Sequence, residues 1–229
     1  MGSMCIKEVG GCFYCSFCDH KLIKYGFTKG KKQRYRCGKC NNIRLRNYKN
    51  LAYNKHISEY IVAYTKEGVG IRSTARLLKI AVNTVLSRIK KIAQSIKQPP
   101  IPLNQTYEVD ELCTFVKHKE NRIWVVYAFC RETGKVGSFN VGKRTNKTLS
   151  RVIQTVQNAN PKKIITDKLK NYRFLIREKL HSTKYRGINH IERMNLTLRT
   201  HLKRLNRRSL AYSRSLVMLS AALKIYFWG

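Results

Sequence analysis

The chain has 229 residues, with 47 Lys and Arg against 12 Asp and Glu, a formal net charge of +35. Such an excess repels itself unless a polyanion is the partner, so nucleic acid ranks ahead of an anionic membrane surface. Apolar residues make up 43% and aromatics 10%, enough for a real core, and no apolar run approaches the roughly 18 residues of a membrane span.

Six of eight cysteines fall within the first 40 residues: Cys5, Cys12, Cys15, Cys18, Cys37 and Cys40. No secretory signal is read at the start, so metal binding is preferred over disulfides. "CSFC" (15–18) is followed after eighteen residues by "CGKC" (37–40), and two such knuckles can set four thiolates around Zn²⁺. The stretch between reads as two short strands about a Gly-containing turn, as a zinc ribbon requires. Cys12 with Cys15 is also a knuckle, but that register lengthens the gap to 21 residues. Cys15, Cys18, Cys37 and Cys40 are therefore the expected ligands, with Cys12 spare. The ribbon is placed at 12–47.

Residues 54–95 show helical periodicity, within a helix-turn-helix DNA-binding domain placed at 52–97. "NKHISEYIVAYTKEG" predicts a helix with Ile57, Ile61 and Tyr64 on one stripe, ended by Gly68 and Gly70. "IRSTARLLKI" predicts a second, with the small Ala75 where helices approach. "AVNTVLSRIKKIAQSI" predicts a third, with Val82, Val85, Ile89 and Ile92 inward. Two short helices joined by about four residues after a leading helix suggest a helix-turn-helix. Its outward residues Asn83, Thr84, Ser87, Arg88 and Lys91 mix base-reading and phosphate-holding types. A plain three-helix unit with a solvated basic face is the alternative. "KQPPIPLN" then breaks any helix and reads as a linker, 98–105.

From 106 to 229 strands and helices alternate. Strands are predicted at 106–117, 122–130 and 135–142, then a helix at 145–159 that Thr145 could cap. A short apolar strand follows at 162–167, then helices at 171–180, 189–205 and 215–228. Three antiparallel strands, a helix, a parallel strand and further helices make the ribonuclease H-like arrangement, an α/β fold.

Most of the twelve acids sit on helices or turns, where a solvated carboxylate is the ordinary explanation. Three do not. Asp110 lies inside an apolar strand, Asp167 ends the strand beside it, and Glu192 is the sole acid after Lys179. On the late helix Ile191, Met194, Leu198, Leu202 and Leu205 form one apolar stripe, and Glu192 lies near its edge. An Arg193 or Arg199 ion pair would account for Glu192 alone. Three converging carboxylates account for all three acids, because they can hold two Mg²⁺ ions at a phosphodiester. Glu108 shares a strand face with Asp110 and could support the site from behind, while Glu111 should point away.

The chain resembles the transposases of the IS1 insertion-sequence family, within the larger DDE group. The likeness is carried by "GKKQRYRCGKC", "GIRSTARLLKIAVNTVLSRIK", "YEVDEL", "IITD" and "IERMNLTLRTHLKRLNRRSLAYSRS", from about Cys15 to Ser215. It implies that Asp110, Asp167 and Glu192 form the DDE triad, holding two Mg²⁺ (or Mn²⁺), with 24 residues between the last two. Arg193, Asn195 and Arg199 would orient the helix or hold DNA. The ribbon and helix-turn-helix would bind the terminal inverted repeats, and the enzyme would cut element ends and join them to target DNA. Joining two ends requires at least a homodimer, in a bacterial cytoplasm beside the nucleoid, with no membrane role. The apolar C-terminal helix, with Leu216, Leu219, Leu223, Tyr226 and Phe227, is read as core in preference to a subunit contact. The rival readings are a non-catalytic zinc-ribbon, helix-turn-helix repressor and a basic RNA-binding structural protein.

Overall fold

The computed structural model describes residues 6–46, 51–54, 56–183 and 188–229. Cys5, the last ribbon position at 47, and Lys55 at the first helix lie outside them. The chain divides into two compact units, one comprising residues to 61 and 71–85, the other 62–70 and 86–229.

The first unit begins with a hairpin the sequence reading did not foresee, β1 (Ile6–Val9) against β2 (Cys12–Cys15). Gly10 and Gly11, at φ 56° and 76°, make the two-residue turn, where both positions need the left-handed region. An antiparallel sheet follows: β3 (Leu22–Phe27), β4 (Gln33–Cys37) and β5 (Ile43–Leu45). Among the described residues, the core that this sheet shares with the hairpin is Ile6, Cys15, Leu22, Tyr35 and Cys37, with Phe13, Cys18 and Cys40 partly buried against it.

Three helices come next: α1 (Ile57–Lys66), α2 (Ile71–Leu78) and α3 (Val82–Ser95). α1 and α2 stop in the same way. Val69 N–H donates to Tyr64 O and Gly68 N–H to Thr65 O; Ile80 and Lys79 repeat the pair onto Ala75 and Arg76. Each pattern needs one left-handed residue, supplied by Gly68 (φ 67°) and by Lys79 (φ 51°). A Cβ on Gly68 would stand 1.8 Å from the carbonyl oxygen of His201, so the position is closed to any side chain. Ile57, Ile61, Ala75, Val85, Ile89 and Ala93 are buried. Val82, expected inward, is 39% exposed; the buried row of α3 runs Val85, Ile89, Ala93, at strict steps of four.

The second unit is built on a five-stranded mixed sheet. β6 (Thr106–Val116), β7 (His118–Cys130) and β8 (Val136–Gly142) are antiparallel neighbours. β9 (Lys163–Thr166) lies parallel to β6 on its other side, and the two-residue β10 (His181–Ser182), unforeseen, extends the sheet beyond β9. β6 is therefore central. α4 (Asn146–Gln157) and α5 (Lys170–Leu175) cover one face, burying Leu149, Val152, Ile153 and Tyr172 on Tyr107, Val109 and Val126. α6 (Asn189–His201) and α7 (Leu216–Trp228) cover the other, burying Ile191, Leu198, Leu219 and Leu223 on Leu112, Val125 and Tyr127.

Four expectations are corrected. Thr145 occupies the N-cap of α4, but its hydroxyl lies 3.2 Å from that of Thr148 and caps no backbone N–H. The helix expected over 171–180 stops at Leu175, because Ile176 and Arg177 turn extended before a 3₁₀ turn at Glu178–Leu180. The late helix ends at His201, and Lys203–Leu205 form a 3₁₀ turn that still buries Leu205. In α7, Leu219 and Leu223 are core and Tyr226 and Phe227 pack beside it, whereas Leu216 is 43% exposed. The proline-containing stretch before β6 is tied to the sheet: Tyr107 Oη donates to Pro102 O at 2.6 Å and Gln98 Nε2 to Gly137 O at 2.9 Å.

Candidate active site and metal centre

The two ribbon knuckles share one local geometry. Cys15 N–H donates to His20 O and Asp19 N–H to Cys15 O; Cys37 N–H donates to Asn42 O and Asn41 N–H to Cys37 O. Asp19 (φ 53°) and Asn41 (φ 56°) take the left-handed turn in each, a conformation that Asp and Asn tolerate. This turns both sulfurs of each knuckle to one point, and the Sγ atoms of Cys15, Cys18, Cys37 and Cys40 all lie within 4.8 Å of one another. Cys12, at the head of β2 opposite Val9, is not in the group. The Cys40 N–H, 3.5 Å from Cys37 Sγ, helps draw that thiol down to about 6. Cys18 goes the other way, to about 12: the His20 backbone lowers it, but burial and the sulfurs of Cys37, Cys15 and Cys40 outweigh that. Four sulfurs this close resist joint ionisation unless a cation sits among them, and an all-thiolate set suits Zn²⁺.

In the second unit the acids gather where β9 runs out. The last β6–β9 pair is Val109 with Thr166, so Asp110 and Asp167 sit one step past it and Glu111 two. Their carboxylate oxygens lie within 4.8 Å of one another. Asp110 accepts from the Glu111 N–H at 2.7 Å and from Asn195 Nδ2 of α6 at 2.6 Å. Asn195 is itself fixed, because Tyr127 Oη donates to its Oδ1 at 2.8 Å. Asp167 accepts from the Leu169 N–H at 3.0 Å. Burial pushes the Asp110 carboxyl up; the Glu111 N–H and Asn195 oppose it, and the charges of Asp167 and Glu192 raise it further. Glu111 is raised for the same first reason, against Arg144 and Tyr172.

Glu111 corrects the sequence reading. It does leave β6 on the face opposite Glu108, where Tyr172 Oη donates to it at 3.0 Å and Arg144 Nη2 at 3.2 Å. Yet with β9 ended on that side, its carboxylate reaches the other two acids. Glu192 stands at the rim. It is exposed on the first turn of α6, makes no ion pair among the described residues, and is near enough for its charge to act on Asp110. Neither Arg193 nor Arg199 pairs with it. Arg193 is exposed, while Arg199 is half-buried beside Asp110 and Tyr127 with no hydrogen-bond partner for its Nε among the described residues, and burial lowers its pKa.

Glu108 is fully buried and collects three donors: Arg131 Nε at 2.5 Å, the Ile191 N–H at 2.8 Å, and His190 Nδ1, 2.9 Å away. It thus pins the first turn of α6, which carries Glu192 and Asn195. Tyr172, Arg144, Arg131 and Tyr127 were not foreseen. Each acts across elements distant in sequence, and no local motif marks them. In α3, Asn83, Ser87 and Lys91 are exposed and Thr84 and Arg88 half-buried.

The described residues thus carry a four-cysteine group, a three-helix segment and an acidic cluster at the end of β9 in a mixed sheet. Residues 105–227 match the family described as IS1 transposase, and residues 51–92 match the family described as InsA C-terminal domain. The chain belongs to the IS1 transposase family. It is 34% identical over 137 residues to the insertion element IS1 4 protein InsB of Escherichia coli (strain K12), covering 60% of this chain and 77% of that protein. Against the iso-IS1n protein InsB of Shigella dysenteriae it is 34% identical over 108 residues, 47% of this chain and 82% of the relative. A solved simian T-cell lymphotropic virus intasome, in complex with PP2A regulatory subunit B56 gamma, aligns with 71% of this chain and 66% of its own at 16% identity, with a TM-score of 0.39, too loose to bear on the fold. No helix among the described residues is long and apolar enough to cross a membrane.

Proposed function

We propose that this chain is a DDE transposase. It would bind the terminal inverted repeats of its element, cleave DNA at the element ends and transfer the freed strands to target DNA. The observation that carries the reading is the cluster of Asp110, Glu111 and Asp167 at the end of the central strand in a chain of net charge +35. A strand order with β6 central between β7 and β9 supports a ribonuclease H-like fold. All-oxygen donors whose neighbouring charges help to raise the carboxyls of Asp110 and Glu111 fit Mg²⁺ or Mn²⁺. Asp110 and Asp167 would hold the ions with Glu192, which makes no ion pair among the described residues, while Glu111 is already engaged by Tyr172 and Arg144. When bound, such ions supply activation of an attacking oxygen and stabilisation of the leaving oxygen at a phosphodiester.

The chain's own residues do the rest. Asn195 aims the Asp110 carboxylate, and Glu108 fixes the start of α6 so that Glu192 stays on the acidic side. Arg199, beside Asp110, and Arg193 on the exposed face would hold the phosphate backbone. Asn83, Thr84, Ser87, Arg88 and Lys91 of α3 would meet the repeat DNA, and Cys15, Cys18, Cys37 and Cys40 would hold a structural Zn²⁺. Bringing two ends together would need at least two copies of the chain.

The test is cleavage and joining of the element's own end DNA with Mg²⁺. Asp110→Asn and Glu192→Gln should each bind the ends like wild type and lose at least about a hundredfold in rate, as expected when a group acting directly on the reacting charge is removed. Full activity in Glu192→Gln with loss in Glu111→Gln would move the third ligand to Glu111. Full activity in Asp110→Asn would end the catalytic reading.

A further inference from the structure

The ribbon carries a feature that a duplex-binding role leaves unexplained. Leu22, Tyr35 and Cys37 point from β3 and β4 into the small core, so the alternate residues form an outer face. Strand register sets Ile23 opposite Arg36 and Arg36 opposite Ile43, a row across all three strands. Tyr25 follows on the same face, with the guanidinium carbons of Arg34 and Arg36 at 5.4 and 5.3 Å from its ring centre. Ile23 is 58%, Tyr25 40% and Ile43 45% exposed. Residues 21–46 hold ten Lys and Arg and no acid.

We propose that this outer face of β3, β4 and β5 binds the unpaired bases of single-stranded DNA. The surroundings select a polyanion, which removes an ordinary protein surface as the occupant. The strip itself selects flat apolar partners. In a duplex the base faces are hidden in the stack, so a sheet laid on it meets phosphates, and Ile23, Tyr25 and Ile43 would gain nothing. An unpaired strand offers both kinds of surface: bases that stack on an aromatic ring or a guanidinium plane, and phosphates for the lysines around them. The paired arginines brace the Tyr25 ring while their charge faces the strand. The inference rests on the ribbon alone and stands or falls separately from the acidic site.

The experiment compares the full-length, zinc-loaded chain and its variants on three ligands by fluorescence anisotropy at about 200 mM salt, where phosphate contacts are weakened. The ligands are oligo(dT) of about 15 nucleotides, an abasic strand of the same length, and a blunt duplex. Tyr25→Ala should weaken oligo(dT) binding roughly tenfold, the scale of one lost base stack, and leave the abasic strand and duplex within about twofold. Tyr25→Phe should restore it. Equal losses on all three ligands, or no loss on oligo(dT), would overturn the proposal. If Tyr25→Ala alters the chain's circular dichroism, Ile43→Ala, at the far edge of the strip, decides: it must reproduce the selective loss on oligo(dT), and a variant that binds all three ligands like wild type sinks the idea.

Discussion

Glu108 shows how a buried charge can serve a site it does not enter. Taking a carboxylate out of water is costly unless donors replace the solvent, and here Arg131, His190 and the Ile191 N–H do so. Glu108→Gln keeps one acceptor for Ile191 but leaves Arg131 facing an amide. Arg131 is about a third exposed and can rehydrate, so the expected loss is about 2–3 kcal/mol, at the low end for a broken buried pair. Urea denaturation measures it. A loss below about half a kilocalorie would mean that α6 is held by its apolar stripe alone.

His181 offers a pH readout on the other side of the site. Its ring lies 2.8 Å from Thr166 Oγ1, next to Asp167, and burial first, then Arg173, lowers its pKa. A lowered folded pKa favours the neutral ring, so its contribution is whole above the unfolded value of about 6.5 and is lost as pH falls below it. The melting temperature should therefore fall between roughly pH 6.5 and 5, and fall less in His181→Gln. Parallel curves for the two proteins would place the acid sensitivity elsewhere.

At the scale of elements, the long strands were legible because their patterns are long. β6, β7 and β8 carry seven to thirteen residues each, bounded by turn residues. β1, β2 and β10 are four, four and two residues, too short for a period to declare itself. α5 was overextended because its apolar spacing runs past Leu175, while the backbone turns extended at Ile176 to bury that side chain. The acids were legible as residue types, but the reach of Glu111 was not. Alternation sends it to the face opposite Asp110, as expected, while the end of β9 at Thr166 lets its carboxylate reach round to Asp110 and Asp167. The ribbon depends on the opposite lesson, since its spacing told more than its core could. Among the described residues five are buried in its core, so bound metal should supply most of its folding free energy, on the order of 10 kcal/mol. Cys37→Ser, or chelation, should release zinc and remove the ribbon's amides from hydrogen-exchange protection, leaving β6 and β7 protected. Retained protection in the ribbon without metal would show that the hairpin and sheet fold unaided.

For the whole molecule the deciding quantity is charge. Forty-seven cations against twelve acids would strain any isolated fold, and two of those acids, Glu108 and Glu111 of β6, are already paired with Arg131 and Arg144. The surplus is therefore available to phosphates. If α3 and the surface around Arg193 and Arg199 both engage duplex DNA, six or more phosphates are neutralised, and affinity should fall by about 10³–10⁵ between 50 and 200 mM salt. Lys91→Ala, exposed on α3, should reduce the slope of log affinity against log salt by about 1, equally on cognate and unrelated sequence. Asn83→Ala should leave that slope alone and weaken cognate DNA only, by roughly the cost of one bidentate base contact, about 1–3 kcal/mol. The two variants thus separate holding from reading. A flat salt response in wild type would mean that the surplus charge is merely solvated, and the DNA-binding face would then have to be sought away from α3.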